Sequence, residues 1–157
     1  LAGAVYLTGS VPAAVQWQAL AVRGYEKAGE NFDGVAFSAQ TYDGLVLLTR
    51  FYIRGGDYKN ALLTVSRMED LLRSREASAT PSLWRRAMGG LLIYHARIAE
   101  RQKDFKEAAQ KYLEAQANCL SVTGDDSDPV LANLRAVVDK ELPGVLAHLS
   151  DTQSSFR

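Results

Sequence analysis

The chain has 157 residues, 47% of them apolar, enough for one compact domain or a few stacked helical repeats. It carries 18 Lys and Arg against 18 Asp and Glu, so no net field draws nucleic acid or an acidic membrane to it. The single cysteine, Cys119, excludes an internal disulfide framework and a cysteine-based zinc cluster and fits a reducing intracellular compartment, cytoplasmic or nuclear.

Strand signals are weak, and no apolar run reaches the ~18 residues of a membrane span. Leu1–Leu7 is apolar but lacks the basic leader of a signal peptide. Leu1–Thr8 is read as the end of a helix from a preceding repeat. The first residue is Leu rather than Met, and we expect a piece of a longer protein. Ser10 is a helix cap, opening Val11–Ala28. Asp33 caps Gly34–Arg54, whose face carries Leu45, Val46 and Thr49. Gly55-Gly56 ends that helix, since glycine accepts a left-handed backbone. Tyr58–Glu76 follows, with Leu62, Val65, Met68, Leu71 and Leu72 inward.

Thr80-Pro81 reads as the cap and first position of Pro81–Arg101, because proline lacks the N–H that this position would leave unpaired. Leu92, Ile93 and Ala96 line its face, and it ends near Gln102-Lys103 without a glycine. Asp104 caps Phe105–Val122. Ser127 is the expected cap of Pro129–Leu149. There Val130, Leu134, Val137, Val138, Glu141-Leu142, Val145 and Leu149 recur at helical spacing. Pro143 predicts a bend or break, because it removes one backbone bond and clashes one turn back. Asp151–Arg157 is polar and predicts fraying.

A period underlies this order. Asp104, Phe105, Ala108, Tyr112 and Ala115 each stand 47 residues after Asp57, Tyr58, Ala61, Val65 and Met68. The same step leads from Ser10 to Asp57, from Gly9 to Gly56 and from Ala14 to Ala61. In each copy small residues alternate with bulky ones on one helical face, so a neighbouring helix can approach closely. The expected fold is all-α, an α-solenoid of about seven helices in one domain. A partial repeat occupies 1–32, full repeats 33–79 and 80–126, and a terminal helix 127–157.

The residues Gly56-Asp57-Tyr58-Lys59-Asn60-Ala61 resemble the turn and second helix of tetratricopeptide repeats. Asp104-Phe105-Lys106-Glu107-Ala108, with Tyr112 and Ala115, resembles it more closely. The resemblance covers about Thr41–Ala117. The family's usual period is 34 residues, so the helices of each pair would be longer here. The early-helix Trp-Leu-Gly pattern is poorly met, with Leu45, Leu48 and Thr49 in one repeat and Leu92, His95 and Ala96 in the other. Armadillo or HEAT-like units have about 40–47 residues and stay open as an alternative. The resemblance implies a right-handed superhelix of antiparallel helix pairs, with the first helices lining a concave groove. Long-helix arrays of this kind are similar to those in proteasome-lid and COP9 signalosome subunits.

Signals for catalysis, metal or cofactor binding are lacking. The two histidines, His95 and His148, form no HExxH spacing, and no GxxxxGK[ST] loop is present. His95 is expected in the core, Cys119 as a buried inert thiol, and Gly89-Gly90 at a close helix crossing. Asp125-Asp126-Ser127-Asp128 lacks EF-hand spacing and reads as capping carboxylates. Trp17, Trp84 and the tyrosines are too scattered for a base-stacking platform.

One pattern points to binding. Arg50 and Arg97 are 47 residues apart, as are Arg54 and Arg101. By resemblance these four would face the groove and clamp carboxylates bidentately. Val46 and Arg50 stand where the family's chaperone-tail clamp uses other residues, so chaperone-tail binding is not expected. The expectation is a non-enzymatic interaction scaffold in a multiprotein complex, engaging an acidic peptide or helix of a protein partner, without nucleic acid or membrane. The alternatives are a structural subunit of a large assembly or a regulatory domain of a larger enzyme.

Overall fold

The computed structural model describes residues 10–31, 34–74, 80–120 and 128–154. Among them are six helices: α1 (Val11–Asn31), α2 (Gly34–Gly55), α3 (Tyr58–Arg73), α4 (Pro81–Arg101), α5 (Phe105–Leu120) and α6 (Pro129–Ser154). The fold is all-α. The expected helix at Leu1–Thr8, the Asp33 cap and the Ser127 cap lie outside the described residues. The chain divides into two compact units, Leu1–Leu71 and Leu72–Arg157.

In the first unit α1 packs on α2 and α2 on α3. Ala14 is fully buried and packs with Phe51, flanked by Val15 and Leu47. Gly44 lets the α1 and α2 backbones come together. A Cβ at this position would lie 2.9 Å from a methyl of Val22 and 3.3 Å from the Gln18 amide nitrogen. That amide instead donates to the Gly44 carbonyl at 3.1 Å. Between α2 and α3 the contact is polar at its centre. The Thr64 hydroxyl donates to the Ala61 carbonyl at 2.7 Å, and its oxygen lies 2.8 Å from the Thr49 hydroxyl. Both threonines are buried and hydrogen-bonded, so neither hydroxyl is left with an unmet desolvation cost.

In the second unit a buried cluster joins the three helices. Ile93, Ala96 and Ala99 of α4, Ala108, Tyr112 and Ala115 of α5, and Val138, Leu142 and Val145 of α6 are buried together. Gly89 is at a close crossing, where a Cβ would stand 3.2 Å from both Asn118 and Leu134. Gly90 is not, since nothing lies within 4 Å of its Cβ position. The expectation of a glycine pair at the crossing thus reduces to one residue, because adjacent helical positions point in different directions.

The helix ends show why the chain turns where it does. Gly56 has φ +75. Asp57 N–H bonds back to the Tyr52 carbonyl at 2.9 Å and Gly56 N–H to Ile53 at 3.2 Å. At the end of α4 the same pair of bonds recurs from Asp104 to Ala99 and from Lys103 to Glu100, both 2.9 Å. Lys103 therefore takes the left-handed place of Gly56, with φ 64. The next helices then open alike. Asp57 Oδ1 accepts from Asn60 N–H and Asp104 Oδ1 from Glu107 N–H, each at 3.1 Å.

Among the described residues α6 is capped by Asp128: its Oδ1 accepts from Val130 N–H at 3.0 Å and Leu131 N–H at 3.3 Å. Its counterpart Thr80 caps α4 by accepting from Leu83 N–H at 3.3 Å. The step from Thr80 to Asp128 is one residue longer than 47, since a cap must directly precede Pro129 at the first helical position. Pro143, expected to bend or break α6, does not break it: the helix continues to Ser154. Pro143 is exposed, so the Asp139 carbonyl that loses its backbone donor can be hydrated instead.

Two stability outcomes follow from this packing. Lys103→Gly relieves a left-handed side-chain clash and should stabilise the protein by about 0.5–1 kcal/mol in urea denaturation. Ala108→Leu forces a larger side chain into a fully buried site and should cost about 1–3 kcal/mol in the same assay.

Candidate functional site

The four arginines fall in different settings. Arg50 and Arg54 lie on α2 in the first unit, and both are exposed. Arg101 is the exposed last residue of α4 in the second unit. Arg97 is committed inside that unit. Its Nε and Nη2 donate to Glu141 Oε2 and Oε1 at 3.0 and 2.7 Å, a bidentate pair joining α4 to α6.

The Arg97–Glu141 pair is part of a larger network. The Tyr112 hydroxyl, reaching up from the core on α5, donates to Glu141 Oε2 and lies 3.3 Å from Glu100 Oε2. The hydrogen bond from Arg97 holds the Glu141 carboxyl below its ordinary value, with Tyr112 adding to the effect and burial opposing it. Burial, and then the Glu141 carboxylate, push the Tyr112 phenol well above its ordinary value. One carboxylate thereby fastens all three helices of the unit. Glu141 stands in the apolar stripe of α6, between Val137 and Val145 at one-turn spacing. A charged residue in such a stripe signals a buried partner, but the stripe does not say which helix supplies it.

Asp128 forms a second clamp at the start of α6. Its Oδ2 accepts from Ser82 at 2.8 Å and from Arg86 Nε at 2.7 Å. Burial alone would raise this carboxyl, but Arg86, Ser82 and the two capping N–H groups hold it down at about 2. His95 is not the core residue that its equivalence to buried Leu48 predicts. It is half-exposed, with Nε2 3.9 Å from Glu107 Oε1. His148 stacks on Phe105, ring centroids 4.5 Å apart. The Cys119 thiol is half-buried, and burial raises it above its ordinary value.

A groove of about 630 Å³ opens in the first unit between α1 and α3, with α2 as its floor. Leu48 and Tyr52 form the floor, Arg23 stands on one wall, and Leu63, Arg67 and Asp70 stand on the other. Arg50 and Arg54 do not line it. Sequence reasoning missed this groove because its walls come from α1 and α3, the helices treated as second members of each pair. The signal available in the sequence was Leu63, a leucine outside the inward set of Leu62, Val65 and Met68; it is 55% exposed on α3.

Among the described residues, no helix is long and apolar enough to cross a membrane. No group of three or more His, Cys, Asp and Glu side chains among them is placed to hold a metal ion. Comparison of the chain with protein-family models, curated proteins and solved structures finds no match.

The network makes a pH prediction. Glu141 and Asp128 have lowered folded values, so their contribution is present above the ordinary carboxyl range and is lost as pH falls through those values. Tyr112 has a raised folded value, so its contribution is complete below pH 10 and is lost as pH rises beyond it. Thermal unfolding should therefore show a plateau from about pH 5 to 9 with a fall on each side. Tyr112→Phe should lower the plateau and make the alkaline fall shallower, as read by calorimetry across pH.

Proposed function

We propose that this chain is a non-enzymatic protein-interaction scaffold, a tetratricopeptide-like helical array working inside a multiprotein complex. The observation that carries the reading is the recurrence, 47 residues apart, of one whole assembly. It comprises a left-handed helix terminus at Gly56 and Lys103, an aspartate cap at Asp57 and Asp104, and a fully buried alanine at Ala61 and Ala108. Caps, turns and packing repeating in register favour stacked units over an irregular bundle, because each unit then solves the same contact with its neighbour in the same way. Stacked units present long surfaces, which suits recognition of an extended or helical segment.

On this reading Arg50 and Arg54 in the first unit and Arg101 in the second each engage acidic residues of the partner, while Arg97 is held by Glu141. A charge-assisted contact is worth about 1.5–3 kcal/mol when desolvated and far less when exposed. Arg97→Glu is a poor probe, since it sets two carboxylates against each other and attacks the fold. The double variant Arg50→Glu, Arg101→Glu leaves the Glu141 network intact. In a pull-down with the native partner of the full-length protein, it should weaken binding at least tenfold at low salt with an unchanged circular dichroism spectrum. Wild-type binding should itself weaken as salt rises. Unchanged binding with an intact fold rejects the arginine surface.

A further inference from the structure

The groove of the first unit has a chemistry distinct from that of the arginine surface. Its floor is apolar, with Leu48 buried and Tyr52 half-buried, and Leu63 is exposed on its wall. Two guanidinium groups border it, and they are in different states. Arg67 on α3 is paired with Glu26 on α1, an ion pair that straps the two walls together. Arg23 spends only its Nε, on the Ala19 carbonyl of its own helix at 3.5 Å. Among the described residues no carboxylate pairs with Arg23 and no cation pairs with Asp70. The groove therefore joins an apolar floor to one unneutralised positive group and one unneutralised negative group.

We propose that this groove is the docking site for an amphipathic helix of a partner protein, which lays a leucine-sized apolar side chain over Leu48 and Tyr52 and presents a carboxylate to Arg23. This rests on the scaffold reading and specifies where on the first unit a partner sits. The apolar floor and the exposed Leu63 call for a hydrophobic anchor, since burying both surfaces is favourable. Arg23 selects an acidic residue next to that anchor, because its terminal nitrogens are open to a carboxylate. Asp70 selects against a polyanion, so a phosphate backbone or an anionic lipid surface does not match the rim. A groove between two helix walls, with a third helix as floor, accepts a helix whose anchors recur at one-turn spacing.

The test selects a displayed library of random 16-residue peptides against the intact chain, with binding measured by calorimetry. The expected selection is a motif pairing Leu, Ile or Phe with Asp or Glu at three- or four-residue spacing. Leu63→Arg should weaken the selected peptides at least tenfold and Arg23→Glu about fivefold. Both residues are exposed, so circular dichroism should be unchanged. Amide shifts on peptide addition should centre on Ala19, Leu48 and Thr64. Arg50→Glu with Arg101→Glu separates the two readings. Peptides that lose affinity with this pair but not with Leu63→Arg support the arginine surface and overturn the groove. Peptides that lose affinity only with Leu63→Arg and Arg23→Glu place the docking site in the groove. Absence of any selected motif, selection of basic peptides, or concentration-dependent dimerisation abolished by Leu63→Arg also overturns the proposal; the last of these would assign the groove to a second copy of this chain.

Discussion

Close approach of helix backbones at a single small residue is the constraint on which both units depend. Ala14, Ala61 and Ala108 are all fully buried, and they are spaced by the same 47 residues. An alanine there gives up side-chain volume so that larger neighbours one turn on can fill the space at native density. The next buried position on that face is filled three different ways, by Gln18, Val65 and Tyr112. Gln18 reaches across to the Gly44 carbonyl, Val65 simply packs, and Tyr112 carries its hydroxyl to Glu141. The buried alanine is constant, while the chemistry beside it varies with the partner helix.

That variation gives the units different cross-links. The buried contacts of the first unit are tied by hydroxyls and an amide, neutral groups whose bonds persist across pH, and its ion pair, Arg67 with Glu26, is at the surface. In the second unit α6 is held by two ionised carboxylates, Glu141 near the middle of the helix and Asp128 at its start. Both accept from arginines on α4. Breaking one partner of such a pair costs more than the pair itself contributes, because the other charge is left partly desolvated. The placement of α6 is therefore more specific than its apolar stripe alone would make it. The stripe permits small rotations of the helix, whereas two bonded carboxylates fix its rotation and its axial position.

Local chemistry was the part of the structure legible from sequence. The starts of α1 to α6 coincide with their expected first residues, because caps and prolines act within a turn of where they stand. Ala61 and Ala108 could be assigned to the interior from spacing alone. The cap at Asp128 was legible, since Pro129 at the first helical position makes the residue before it the cap, but strict extension of the 47-residue step pointed to Ser127 instead. The partnership of Arg97 with Glu141 was hidden. It joins residues 44 positions apart on helices whose relative rotation no local pattern encodes. His95 was misjudged for a related reason: equal register in a repeat does not guarantee equal burial when the neighbouring side chains differ. The α1–α3 groove arises from what two nonconsecutive helices leave uncovered, a property of the assembled unit and not of any one segment.

The glycines inside the helices sort into two kinds, and this bears on attempts to make the protein more robust. Glycine weakens a helix interior by about 1 kcal/mol relative to alanine, so replacing it is an obvious engineering move. At Gly44 and Gly89 that gain is opposed by contacts of 2.9 Å and 3.2 Å that a methyl group would have to push aside. Gly24, Gly90 and Gly144 have nothing within 4 Å of the added carbon. Alanine at those three sites collects the propensity gain with no steric penalty. A consensus or propensity-driven redesign that treats all five alike would spend its gains at three sites on repairing damage at the other two. The separation between the kinds is set by helix crossing distance, and it marks which parts of each helix are free to change.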